Sequence, residues 1–226
     1  MRSLDTTSHD RRGAAFLFSG IAAILLSLTS TELAASDDKL SGLPSLVLGG
    51  QTATAQTLQF ETPFDNKVNA GSLTIVLEKT TLDDVKATFG GTVRSRSVEG
   101  LSIGWLCYEL STGDLPRRIW LVANGRDADA ADKKPVTFIS TEEVSGAADK
   151  CDTPTVALAP LLLPVPTLKD GTDALEKRFG AAPKQGMVRY SHQQPGEQNT
   201  TVMQSLVYRL KDGLIDGIAF TQVTSK

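Results

Sequence analysis

An α+β fold of two tandem units, each a short helix packed on an antiparallel sheet, is what this sequence predicts. The first observation behind that prediction is internal similarity. Leu73 to Gly90 aligns without gaps with Leu163 to Gly180, with identities at Leu73/Leu163, Lys79/Lys169, Asp83/Asp173, Phe89/Phe179 and Gly90/Gly180. The second is that matching strand signals follow both segments. Trp105 to Leu110 and Ser205 to Leu210 share Leu-x-Tyr-x-Leu, and Ile119 to Leu121 corresponds to Ile218 to Phe220. The third is the proline-rich run between them, residues 152–166, which suits an extended crossing segment because proline blocks both helix and central-strand pairing.

The elements follow in chain order. Residues 1–35 have the organisation of a secretory signal: Arg2, Arg11 and Arg12, then an apolar stretch from Gly13 to Leu28, then small residues ending at Ala35. The apolar stretch is shorter than the roughly 20 residues a spanning helix needs, so cleavage is expected and an uncleaved anchor is the alternative. Residues 36–70 are rich in Thr, Gln and Ala and are expected to be irregular, with one strand near Leu58 to Phe60.

The first unit, residues 71–151, opens with Leu73, Ile75 and Leu77 alternating as a strand. Thr80 or Thr81 then caps a helix with Leu82, Val85 and Phe89 on one face, which Gly90-Gly91 stops. Strands follow at Trp105 to Leu110, Arg117 to Ala123 and Pro135 to Ser140. A connector spans residues 152–162. In the second unit, residues 163–226, Asp170-Gly171-Thr172 opens a helix that Gly180 closes, and Asp212-Gly213 turns a hairpin.

The 226 residues are 40% hydrophobic and 22% charged with a formal net charge of −3, an ordinary globular balance that excludes collagen, coiled-coil rod and fully disordered classes. Mild acidity without a basic run argues against nucleic acid, whose affinity rests on neutralising phosphates. Export makes the chain's two cysteines legible as one disulfide, Cys107–Cys151. Closing that loop of about 43 residues is worth about 3–4 kcal/mol in chain entropy.

A short helix ending in glycine, then a meander with an aromatic-centred strand, resembles the unit shared by the β-lactamase inhibitor proteins and the small lipoproteins of outer-membrane assembly. The residues that carry the resemblance are Leu82 to Gly90 with Leu106-x-Tyr108-x-Leu110, and Asp173 to Gly180 with Leu206-x-Tyr208-x-Leu210. It spans about half of the chain beyond residue 35 and implies an inhibitor-like architecture, not a β-lactamase target. Family units usually carry two helices, and one per unit is visible here.

Strand alternation nominates a binding face. With a loop at residues 111–116, Tyr108 lies opposite Ile119 and Leu106 opposite Leu121 on the core side. Trp105, Cys107 and Glu109 then share the other side with Val122, Trp120 and Arg118. Aromatics and arginine dominate protein interfaces, so Trp105, Trp120, Glu109 and Arg118 are the expected protein-binding residues. The same alternation admits a second outcome, in which residues 36–70 or the disulfide loop cover the tryptophans as a small core. The second unit carries Ser205, Val207 and Arg209 on the equivalent side.

Other signals are weaker. Asp127, Asp129 and Asp132 hint at calcium but lack the rest of a helix-loop-helix site. Adjacent Ser191 and His192 on a strand would face opposite ways and form no triad. Arg94 and Arg96 read as a charged strand edge. No phosphate loop, dinucleotide fingerprint or zinc spacing is present, so neither cofactor nor metal is expected. The expected function is that of a periplasmic or secreted, non-enzymatic, inhibitor-like binding protein with a protein or envelope-component partner and no transmembrane span after cleavage. A secreted hydrolase and an envelope structural protein are the alternatives.

Overall fold

The computed structural model describes residues 39–226 apart from 51, 53–54, 99–100, 112–114, 127–129, 145–149, 159–160, 164 and 184. The signal segment and two of the three loop aspartates, Asp127 and Asp129, lie outside the described residues. Three short helices are present: α1 (Gly42–Leu48), α2 (Leu82–Phe89) and α3 (Thr172–Phe179). The strands are β1 (Gln56–Gln59), β2 (Lys67–Ala70), β3 (Leu73–Val76), β4 (Arg94–Val98), β5 (Leu101–Leu110), β6 (Arg117–Arg126), β7 (Phe138–Glu143), β8 (Leu161–Leu162), β9 (Gly186–Pro195), β10 (Thr201–Lys211) and β11 (Leu214–Ser225).

These strands overturn the expected α+β class with two separate helix-on-sheet units. The fold is mostly β, with one mixed sheet of eight strands in the order β1-β9-β10-β11-β7-β6-β5-β4 and a small sheet ordered β3-β2-β8. The decisive pairing is β7 with β11, antiparallel from Gly217↔Glu142 to Thr221↔Phe138. Two separate meanders, β4 to β7 and β9 to β11, ending on bare edges would each leave a row of unpaired backbone groups beside buried residues such as Ile139 and Ile218. Joining the edges satisfies both rows. β1 adds a parallel partner to β9, which makes the sheet mixed; it lies by the strand expected near Leu58 to Phe60, and the described part of residues 36–70 also contributes α1 and β2.

The positions of α2 and α3 agree with the sequence, whereas α1 is not expected from it. Thr81 caps α2 by accepting from the Asp84 N–H at 3.2 Å, while the Asp84 carboxylate accepts from the Thr81 N–H at 2.8 Å. Those bonds hold the Asp84 carboxyl below its ordinary range. α3 starts at Gly171 without a side-chain cap, and Gly180 ends it in the left-handed region at φ 82°.

Both helices and the small sheet cover one face of the large sheet. Leu82, Val85 and Phe89 of α2 and Leu175 of α3 join Leu106, Tyr108, Ile139, Tyr190, Leu206 and Phe220 in the main core. A tyrosine secures each helix end: Tyr108 donates to the Gly90 carbonyl at 2.7 Å, and Tyr190 donates to the Ala181 carbonyl at 2.6 Å. Phe179 stacks on Tyr190 with ring centroids 4.2 Å apart. Burial of its phenol, with Glu176 nearby, pushes the Tyr190 pKa up to about 12.

Candidate functional site

The face of the large sheet opposite the main core holds the residues that alternation singled out. The predicted register of the first hairpin is present: Trp105↔Val122, Cys107↔Trp120, Glu109↔Arg118, with Tyr108↔Ile119 and Leu106↔Leu121 on the core side. Glu109 accepts from Arg118 Nε at 3.1 Å. Cys107 and Cys151 form the disulfide, and Asp152 continues alongside β5 by donating its N–H to the Cys107 carbonyl at 2.9 Å. Cys107 is buried, and a buried disulfide of this kind is compatible with an oxidising compartment. Among the described residues, no helix is long and apolar enough to cross a membrane.

Exposure is where the tryptophans depart from a docking surface. Trp105 and Trp120 are each 1% exposed, and with Cys107, Val122, Phe138, Val207, Ala219 and Leu43 they make a second core. The cover is α1, part of the segment 36–70 that the sequence offered as a possible lid. Two glycines let it settle. Gly217 faces Leu43, where a Cβ would sit 3.2 Å from the leucine Cδ2. Gly42, at φ 58°, lies against the Glu142 carboxylate, where any side chain would collide.

Glu142 organises this junction. It is 1% exposed and accepts from the Leu43 N–H at 3.0 Å and from Arg209 Nη1 at 2.9 Å. Arg209 Nε also donates to Asp216 at 2.9 Å, so two carboxylates share one guanidinium. Arg118 lies across the strand from both Glu109 and Glu142. Charge on the covered part of this face is therefore internally matched.

Beyond the end of α1 the same face opens. A pocket of about 340 Å³ is bounded by Val47 and Leu48 of α1, Phe138 of β7, Arg189 and Ser191 of β9, Met203 and Ser205 of β10, and Thr221 and Val223 of β11. Its size falls at the lower end of small-ligand sites. Registers place Ser191↔Ser205, Ser205↔Thr221 and Thr221↔Phe138 in one line across four strands. Arg189 stands two residues from Ser191, on the same side by the strand period.

Among the described residues Arg189 is the cation of this pocket, and the lining includes no Asp or Glu. One terminal nitrogen donates to the Thr52 hydroxyl, while the buried Nε has no hydrogen-bond partner among the described residues. The buried hydroxyl of Thr137, also on the lining, is unpartnered in the same sense. At the mouth, Met203 and Val223 are opposite each other in the register and 50% and 45% exposed.

The remaining nominated residues do not converge. His192 lies on the other side of β9, its Nδ1 2.8 Å from the Phe60 carbonyl and its ring against Phe60, so Ser191 and His192 are separated by the strand itself. Asp83 pairs with Lys133 at 2.7 Å on the α2 side, away from Glu109. Arg94 pairs with Asp152 at 3.2 Å. The chain matches no family model, no curated protein and no solved structure.

Sequence reasoning missed Arg189 although the signal was available. In Met187-Val-Arg-Tyr-Ser191 the apolar Val188 and Tyr190 alternate with Arg189 and Ser191, which assigns the arginine to the face away from the core. What alternation did not reveal is whether a carboxylate waits opposite it.

Proposed function

We propose that this chain is an exported, non-enzymatic binding protein that holds its ligand on the open stretch of the second sheet face, next to the covered tryptophans. The observation that carries this reading is Arg189: a guanidinium in a pocket, with a buried donor unused and no carboxylate on the lining among the described residues. A buried donor left unpaired costs about 1–3 kcal/mol, a cost that a ligand acceptor offsets. The rigid sheet supplies the positioning, since Arg189, Ser191, Ser205 and Thr221 stand on three hydrogen-bonded neighbours. The resemblance of Leu82 to Gly90 with Leu106-x-Tyr108-x-Leu110 to inhibitor-type units supports a binding role in the same general sense.

Export rests on the charged leader, the short apolar stretch and the small residues before Ala35, together with the disulfide. Mass measurement of the protein recovered outside the cytoplasm tests it: loss of residues 1–35 is expected, and an intact amino end overturns cleavage.

The binding reading is tested by incubating the protein with an envelope extract, re-isolating it and identifying retained molecules by mass spectrometry. Ser205→Trp, which fills the pocket from β10, is expected to abolish retention while leaving the circular dichroism unchanged. Equal retention by both proteins removes the pocket from the function.

A further inference from the structure

We propose that the pocket selects a small amphipathic carboxylate, with the carboxylate on the Arg189 guanidinium and its hydrocarbon chain along Met203 and Val223. This rests on the reading of the pocket as a binding site and assigns the chemistry of its ligand. Three observations converge on that class.

The first is charge. A single guanidinium with no acidic residue on the lining is matched by one negative charge, and its planar fork suits a carboxylate. A phosphate dianion would bring a second charge with no second cation to meet it. Ser191 and Ser205, opposite one another in the register, add hydroxyl donors beside the guanidinium.

The second is the apolar remainder of the lining. Val47 and Leu48 form one wall, and the Met203/Val223 pair extends outward from the opposite strands. Both members of that pair are substantially exposed, which leaves a cross-strand apolar strip in solvent next to a cation. A hydrocarbon chain attached to an anion covers that strip; a small hydrophilic anion does not.

The third is the contrast with Arg209 on the same face. Arg209 has two carboxylates within hydrogen-bond distance, so the fold neutralises an arginine there from within. At Arg189 the one side-chain partner among the described residues is a neutral hydroxyl, Thr52. No carboxylate of the described residues meets Arg189, and the proposed ligand supplies its counter-charge.

Calorimetric titration of the full chain with decanoate, decanol and decyltrimethylammonium tests the assignment, all below their micelle concentrations. Decanoate is expected to bind, with octanoate weaker by about fourfold per methylene removed. Arg189→Met is expected to weaken decanoate by tenfold or more, the scale of a lost hydrogen bond to a charged group. Arg189→Lys retains part of the affinity, and decyltrimethylammonium does not bind. Ser205→Trp, on a different strand, blocks decanoate without touching the guanidinium and keeps the test valid if Arg189→Met folds poorly. Equal binding of decanoate and decyltrimethylammonium, or decanoate affinity unchanged in Arg189→Met, overturns the carboxylate assignment. If decanol alone binds and Ser205→Trp blocks it, the pocket survives as a binding site and only the carboxylate falls. If no probe binds while envelope molecules are still retained in a Ser205-dependent way, the assignment again falls and the binding reading stands.

Discussion

Two ends of one sheet face treat the same kind of residue in opposite ways. At the covered end, Arg209 is clasped by Glu142 and Asp216 beneath and beside α1, and the neighbouring surface is filled by Trp105, Trp120 and the Cys107–Cys151 bridge. At the open end, Arg189 meets Thr52 and a pocket. The covered end is built for stability and the open end is left with chemical capacity to spare. Stability and the proposed binding therefore separate along the face, and the tryptophans belong to the first.

The sharpest way to break that comparison is to remove the covered end's filling. Trp120→Ala is expected to cost about 3–5 kcal/mol, read by chemical denaturation, because it empties a buried site the backbone cannot collapse to fill. A loss below about 1 kcal/mol would mean that α1 does not seal this core. Replacing both cysteines, Cys107→Ser/Cys151→Ser, is expected to cost about 3–4 kcal/mol by restoring loop entropy to the unfolded chain. Reduction of the wild-type protein should reproduce that loss.

Next in size is the arginine contrast itself. Arg209→Met leaves Glu142 buried with the Leu43 N–H as its remaining bond and is expected to cost about 3 kcal/mol. Double substitution with Glu142→Gln should recover part of it.

A smaller effect comes from behind the open end, where Tyr190 points into the main core between Arg189 and Ser191. Its folded pKa of about 12 lies above the ordinary value of 10.0, so the folded state keeps the phenolic proton that the unfolded state loses. The contribution is complete below about pH 10 and is lost as pH rises toward 12. Denaturation midpoints across that window should fall in the wild type and fall less steeply in Tyr190→Phe. Smallest of all, and opposite in sign, Arg189→Met is expected to hold or raise stability, by up to about 1 kcal/mol, because it removes a buried unpaired donor at the cost of one bond to Thr52. A loss as large as that of Arg209→Met would make the two ends alike and end the comparison.

Much of the local structure was legible beforehand. Both helices within the aligned segments start and stop where Thr81, Asp170-Gly171-Thr172 and the closing glycines placed them, and the first hairpin has the register that alternation and the loop at residues 111–116 dictated. The disulfide followed from the count of cysteines. Each of these depends on residues close in sequence, or on having just one possible partner.

The joining of β7 to β11, the seat of α1 on Trp105 and Trp120, and the opening around Arg189 were not legible in that way. Alternation says which side of its own strand a residue faces; it is silent on which strand edge finds which. Val47, Arg189, Ser205 and Phe138 come from four separate stretches of chain, and their common pocket exists because the two meanders share an edge.

By itself, then, the sequence determined α2 and α3, the faces of the first hairpin and the cysteine pairing, because short-range sterics, periodicity and composition are local properties. Tertiary structure alone decided that the two meanders share a single eight-stranded sheet, that the tryptophans are core, and that Arg209 meets two carboxylates while Arg189 meets none among the described residues. Those outcomes turn on burial and on the distance between charges, and both are properties of segments brought together from across the chain.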